Sequence, residues 1–146
     1  MRSFEASTRI DAAPEDVWAV LTDVGGWRDW DSGVDRVEGR VALGERITVY
    51  ATMIRNRPFS ATLTELRPGE AMRWRSGLPF GLAVVERTYH LDRQDDGGTV
   101  LTVEQDSSGP LAFVLDRATP DLNPSFRQFC SGLKQQAERR AARPAS

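Results

Sequence analysis

Residues 3–10, SFEASTRI, alternate strictly. Phe4, Ala6, Thr8 and Ile10 share one face of an extended chain and Glu5, Ser7 and Arg9 the other, which predicts a half-buried strand. Asp11 to Pro14 then signals a helix start, with proline in the first turn and Glu15 and Asp16 at its positive end. Val17, Trp18, Val20 and Leu21 supply the apolar stripe of a short helix that Gly25 and Gly26 stop. In WRDWDSGV the two tryptophans, Trp27 and Trp30, are three residues apart, so a second helical turn would bring both indoles to one side.

From residue 34 the period changes to two. The pattern predicts strands over 34–43, 45–55, 58–66, 70–77, 82–93 and 98–106, separated by the Gly- or Pro-bearing turns LGE, RNRP, RPGE, GLPFG and QDDGG. Connections this short require antiparallel neighbours, because parallel strands need long crossovers. Gly109 and Pro110 close the strand region, and LAFVLDRA has the length for two helical turns before Pro120. Asn123 followed by Pro124 is a helix cap and first position. Phe126, Phe129, Cys130, Leu133 and Ala137 then fall at helical offsets, with Arg127, Gln128, Lys134, Gln135 and Glu138 opposite. This is one amphipathic helix of about five turns. The last residues, 141–146, are expected to fray, leaving 1–140 as one domain.

Seven strands and one long helix imply an α+β fold in which a twisted antiparallel sheet buries one face against the terminal helix. A curved sheet rarely closes flush on a helix, and the space left between them is a cavity.

Composition narrows the function. The chain has 146 residues, 40% hydrophobic and 27% charged, with a net charge of −2. Such a balance argues against nucleic-acid binding through overall phosphate attraction. No apolar run is long enough for a membrane span, and MRSFEASTRID has neither the apolar stretch nor the cleavage site of a secretory signal, so a cytoplasmic protein is expected. One cysteine excludes an internal disulfide and a cysteine-based zinc cluster; one histidine, His90, excludes a His–His metal site within one chain. No Gly-rich phosphate loop opens a helix, and no cofactor is expected.

In this order, Pro14-Glu15-Asp16-Val17-Trp18, Trp27 with Trp30, Arg67-Pro68-Gly69 before Met72 and Trp74, Tyr89-His90-Leu91, Gly97-Gly98-Thr99, Gly109 and Gly132-Leu133-Lys134 with Glu138 resemble the START-like superfamily (Bet v 1-like, SRPBCC). Within it they resemble the polyketide cyclase/dehydrase-type branch, over residues 3–140. One departure is Asp31, where the family commonly has proline, so the chain is expected to bend differently on its way into the first long strand. The resemblance implies a helix-grip fold: a seven-stranded antiparallel curved sheet wrapped around a long C-terminal helix, with two short helices after the first strand. It also implies a cavity for lipids, polyketides or quinones, in which some members catalyse cyclisation or dehydration.

Alternation then predicts the lining: Ile47, Val49, Ala51 and Met53; Phe59, Ala61 and Leu63; Met72 and Trp74; Val85, Arg87, Tyr89 and Leu91; Leu101, Val103 and Gln105. From the helix come Phe126, Phe129, Cys130 and Leu133. The polar members are Arg87, Tyr89, Gln105 and, at the margin, Ser76. A buried guanidinium keeps its proton and needs a partner. Arg87 therefore pairs with a nearby acid, reaches solvent at a strand end, or anchors the anionic or carbonyl head of a ligand together with Tyr89. His90 and Glu104 have the opposite parity and face outward. Asp95-Asp96 reads as turn chemistry, and Cys130 as a small hydrophobe. Trp27 and Trp30 either plug one end of the core or stack on a ligand, and Arg55 and Arg57 either form a basic rim or a solvated turn.

Three functions fit. The first is a carrier or sensor of a hydrophobic small molecule, acting as a monomer or homodimer. The second, an aromatase/cyclase or dehydrase, needs an acid–base pair, and the predicted lining has no general base. The third, a quinone or lipid chaperone or interaction protein, needs an exposed apolar patch.

Overall fold

The computed structural model describes residues 3–51, 58–118 and 121–142. Strand β1 (Ser3–Ile10) occupies the alternating N-terminal segment, and helix α1 (Pro14–Thr22) follows with Pro14 in its first turn and Val17, Val20 and Leu21 buried. A 3₁₀ turn over Val24–Asp29 buries Trp27. Strands β2 (Val34–Glu38), β3 (Arg46–Ala51), β4 (Phe59–Arg67), β5 (Ala71–Leu78), β6 (Ala83–Arg93) and β7 (Thr99–Ser108) come next, then helices α2 (Ala112–Ala118) and α3 (Asn123–Ala142).

All neighbouring strands are antiparallel, and the sheet order is β1-β7-β6-β5-β4-β3-β2. The meander from β2 to β7 needs only hairpins, and β1 closes onto β7 in an unbroken register from Ser3 opposite Asp106 to Ile10 opposite Thr99. The sheet curls around α3, which packs on β1, β7 and α1. The two register shifts, between Val34 and Arg36 and between Leu63 and Glu65, lie on the β2–β5 side. Such bulges sharpen local twist and bend a sheet.

Three boundaries differ from the sequence pattern for identifiable reasons. The first long strand ends at Glu38 rather than at 43, because Gly39 takes φ of 103° and turns the chain out of the ladder. A side chain there would meet the Arg46 carbonyl at 2.7 Å, so the turn requires glycine. The last strand runs two residues further, to Ser108, because β6 continues to pair with it as far as Val84 opposite Ser108. The final helix continues to Ala142, two residues into the expected tail, and Arg140 just before that tail is held by Asp16 of α1 at 3.4 Å. Residues 52–55 of the strand expected over 45–55, including Met53, lie outside the described residues, as do Arg55 and Arg57.

The helix lies close to the N-terminal turn because of one residue. A methyl group on Gly132 would overlap the Asp31 carbonyl oxygen and sit 2.9 Å from the Trp30 ring. Asp31 in turn accepts a 2.7 Å hydrogen bond from Gln128 of α3 through its side chain. The loop before β2 is thus pinned to the helix that bounds the cavity, while Ser32 Oγ donates to the Trp27 carbonyl (2.6 Å) and accepts from Val34 N (3.1 Å).

Candidate functional site

Sheet and helix do not close over their full length. A cavity of about 360 Å³ remains between the first turns of α3 and the concave sheet face. Its floor comes from alternate residues of the strands: Val49 and Ala51, Phe59, Ser76, Val85 with Arg87 and Tyr89, and Val103 with Gln105. Phe126 and Phe129 form the roof, and Trp27 with Ser32, Gly33 and Val34 closes one side. Leu115 of α2, with Leu122, completes the wall. A space this size lies within the usual range for small-molecule sites.

Among the described residues, the one charge on this wall is Arg87. Its Nε and Nη2 donate to the single oxygen Gln105 Oε1, at 3.0 and 2.8 Å. Register explains the pairing, since Arg87 of β6 stands directly opposite Gln105 of β7. The guanidinium carbon also lies 4.7 Å from the Phe59 ring centre and 5.0 Å from that of Phe126, so two aromatic faces stabilise the cation. Among the described residues no carboxylate pairs with it. Gln105 is neutral and uses two of the five N–H donors, so the positive charge stays uncompensated beside an apolar hollow. A nearby acid, one of the sequence alternatives for Arg87, is not its partner.

Tyr89 sits two residues along the same strand and is 4% exposed. Burial raises its phenol above the ordinary 10.0, and the neighbouring Arg87 cation only partly offsets this. The hydroxyl therefore stays protonated at neutral pH and is available as a donor. Phe129 organises the aromatic wall: its ring centre is 4.9 Å from Trp27 in an edge-to-face contact, 5.4 Å from Trp30 and 5.6 Å from Tyr89. Trp27 Nε1 donates to the Leu21 carbonyl (3.1 Å), which fixes the indole. Plug and cavity wall are thus one residue in Trp27, whereas Trp30 packs behind Phe129.

Ten of the residues expected at the site line the cavity together, with Ser76 at the margin: Arg87, Tyr89, Gln105, Val49, Ala51, Phe59, Val85, Val103, Phe126 and Phe129. Nine do not. Ile47, Ala61, Leu63, Met72, Trp74, Leu91, Leu101, Cys130 and Leu133 are buried in the solid core, each 4% exposed or less. Their parity is right, because they share the inner face, but alternation does not say how far along that face the core is filled. The bulk of Met72, Trp74, Leu63 and Leu133 fills it there, and the hollow is confined to the part bounded by Phe126 and Phe129. Trp74 Nε1 is buried in this core without a hydrogen-bond partner. Sequence periodicity missed Ser32, Gly33, Pro58, Gly77, Leu78, Leu115, Leu122 and Ser125, which reach the wall from turns, the end of β5, α2 and the start of α3.

The chemistry available is limited. The wall carries no carboxylate, imidazole or thiol among the described residues; its ionisable groups are Arg87 and Tyr89. His90 is exposed on the outer face. Asp96 accepts 2.6 Å and 3.1 Å hydrogen bonds from Arg9 and from Gly98 N, and these hold its carboxyl below the usual range at a hairpin. Burial pushes the Cys130 thiol up to about 11, which leaves it unreactive at neutral pH. No cluster of three or more metal-ligating side chains occurs among the described residues, and no described helix is long and apolar enough to cross a membrane.

The fold recurs in solved structures. Protein MLL2253 from Mesorhizobium loti superposes with a TM-score of 0.71 at 20% identity, covering 94% of this chain and 98% of that one. The Zhui aromatase/cyclase from Streptomyces sp. R1128 gives 0.68 at 17% identity, covering 95% and 94%. The di-domain aromatase/cyclase BexL of the BE-7585A biosynthetic pathway gives 0.68 at 17%, covering 94% of this chain and 47% of BexL, so this chain spans about half of that protein. No curated protein sequence matches significantly. A family model described as polyketide cyclase/dehydrase and lipid transport matches residues 1–138, nearly the whole length over which the meander, the helix and the cavity between them have been traced, and the chain belongs to that family.

Proposed function

We propose that the protein holds a hydrophobic small molecule bearing an acidic or carbonyl head, as a carrier or sensor of that molecule. The observation that carries this reading is Arg87: a cation at an apolar cavity, tied to a neutral amide and stacked on two phenyl rings, with N–H donors to spare. A carboxylate or polarised carbonyl would complete the guanidinium, Tyr89 would donate a further hydrogen bond, and the apolar wall would take the remainder of the ligand. Burial of that remainder supplies most of the affinity, and the head sets orientation.

Cyclisation or dehydration is the second reading. It is favoured by a protonated Tyr89 beside a cation, a pair suited to stabilising an enolate. It lacks a base on the described wall to remove the proton in the first place.

Native mass spectrometry of the protein purified from its own host tests the proposal. The expected result is an added small-molecule mass that is lost on denaturation and depleted in Arg87→Met. Bare protein mass from repeated native preparations, with no uptake of added decanoate, would overturn it.

A further inference from the structure

In a chain that is 27% charged, residues 76–85 (SGLPFGLAVV) and 107–115 (SSGPLAFVL) carry no charged side chain. The fold brings these two segments together. Leu111 N donates to the Leu82 carbonyl at 2.7 Å. A methyl group on Gly109 would lie 2.8 Å from the carbonyls of both Gly81 and Leu82, so the approach depends on that glycine. The result is an exposed apolar cluster: Phe80 (97% exposed), Phe113 (51%), Val114 (46%), Leu82 (39%) and Leu78 (37%). It adjoins the cavity, because Leu78 belongs to both, and the wall reaches the surface at Gly77, Leu78 and Pro58.

Phe80 is also the only non-glycine residue with positive φ among the described residues (φ 61°, ψ 23°). That conformation is disfavoured for a side-chain-bearing residue and costs glycine nothing. Here the side chain gains no packing in return. A strained backbone that holds a bare phenyl ring in water makes sense only if the ring is covered by something else.

We infer that this patch docks the protein on the interface of a lipid bilayer, with the Phe80 turn and α2 inserted among the headgroups at the mouth of the cavity. The charges at its margins decide the kind of surface. Arg75 stands opposite Glu86 across the β5–β6 pair, and Arg117, which lies over the Phe113 ring, is next to Asp116, itself bonded to Ser107 Oγ at 2.6 Å. Among the described residues the strand side thus carries one cation and two acids, since Asp106 of β7 stands opposite Glu86, and the helix side one of each. A margin with no excess of cations gives no advantage to anionic lipid and fits a zwitterionic surface such as phosphatidylcholine. A second copy of the chain seated here would cover the mouth, whereas a bilayer leaves it facing acyl chains. The route for cavity cargo rests on the proposed ligand-holding role; the docking itself is measured without any ligand.

The experiment is flotation of the full chain with phosphatidylcholine vesicles, with and without phosphatidylglycerol. Wild type is expected to float with both, with little dependence on salt. Phe80→Asp and Phe113→Asp are each expected to cut partitioning about tenfold or more, the order given by removing one buried aromatic side chain. Phe80→Gly separates docking from folding: it relieves the positive φ, so its thermal midpoint is expected to hold or rise while flotation falls. Absence of flotation, flotation unchanged by Phe80→Gly, or flotation that requires anionic lipid would each overturn the inference. Concentration-dependent dimerisation abolished by Phe80→Asp, without vesicle binding, would assign the patch to a second copy instead. If vesicles bind normally and no cavity ligand is ever found, the docking inference stands and the ligand-holding role fails.

Discussion

Replacing Arg87 with methionine keeps an unbranched chain against Phe59 and Phe126 but removes the charge and both hydrogen bonds to Gln105. Two effects follow, and they can be separated. In the empty protein, Gln105 is 7% exposed and its Oε1 loses the partner it has. An orphaned buried acceptor costs about 1–3 kcal/mol, partly offset because no cation then needs to be desolvated. Arg87→Met is therefore expected to lose about 1–2 kcal/mol in urea unfolding, and Arg87→Met/Gln105→Leu to recover most of it, since neither polar group remains. In the ligand-bound protein the lost term is a charge-assisted contact to the head. Decanoate at neutral pH should bind Arg87→Met more weakly by about 1.5–3 kcal/mol, roughly 10- to 150-fold, while decanol changes by less than about threefold. Isothermal titration of both probes against wild type, the single and the double variant provides the cycle. Equal weakening of decanoate and decanol would refute the reasoning, because it would mean that Arg87 only shapes the wall. A double variant less stable than the single would refute the assignment of Gln105 as the orphan.

Other consequences follow from single groups. Gly132→Ala improves helix propensity by about 1 kcal/mol yet forces α3 off the Asp31 carbonyl, for a net loss of about 1–2 kcal/mol in chemical denaturation; a more stable variant would contradict the close approach. Cys130, with its thiol near 11, should resist a disulfide reagent in the native state and react at the rate of global unfolding; fast native labelling at neutral pH would contradict its burial. Tyr89 has a folded-state pKa raised above the unfolded value, so its contribution is complete below about pH 10 and fades as pH climbs through the raised value. Tyr89→Phe should therefore lose less stability than wild type over that alkaline range, as read by thermal melts; parallel curves would contradict it.

How much of this was legible in the sequence depends on what sets each feature. β1 was readable to the residue because one face is buried at Phe4, Ala6 and Ile10 and half-buried at Thr8, so the alternation survives intact. The same parity put Arg87, Tyr89 and Gln105 inward and His90 outward, and these are the residues on which the proposed function turns. Parity failed where depth mattered. Trp74 and Met72 face the same way as Arg87 and Tyr89, with which they pair across β5 and β6, yet their own bulk fills the space they face. Ser32, Leu115 and Leu122 escaped because turns and a short helix carry no period, and only tertiary approach brings them to the wall. A signal for part of that wall was present in the chain: the two charge-free stretches, read together, mark the segments around Leu78 and Leu115. The partner of Arg87 was out of reach for another reason. Choosing between an acid and Gln105 needs the cross-strand register, which a one-residue change in any turn would have altered.

A crystal structure of the protein grown with decanoate tests the central claim most directly. The account predicts the carboxylate about 2.7–2.9 Å from an Arg87 Nη atom, with the chain lying between Phe59, Val103, Phe126 and Phe129. A hollow filled by Trp27 and Phe129 with no fatty acid inside, or decanoate bound with its head away from Arg87, would contradict it.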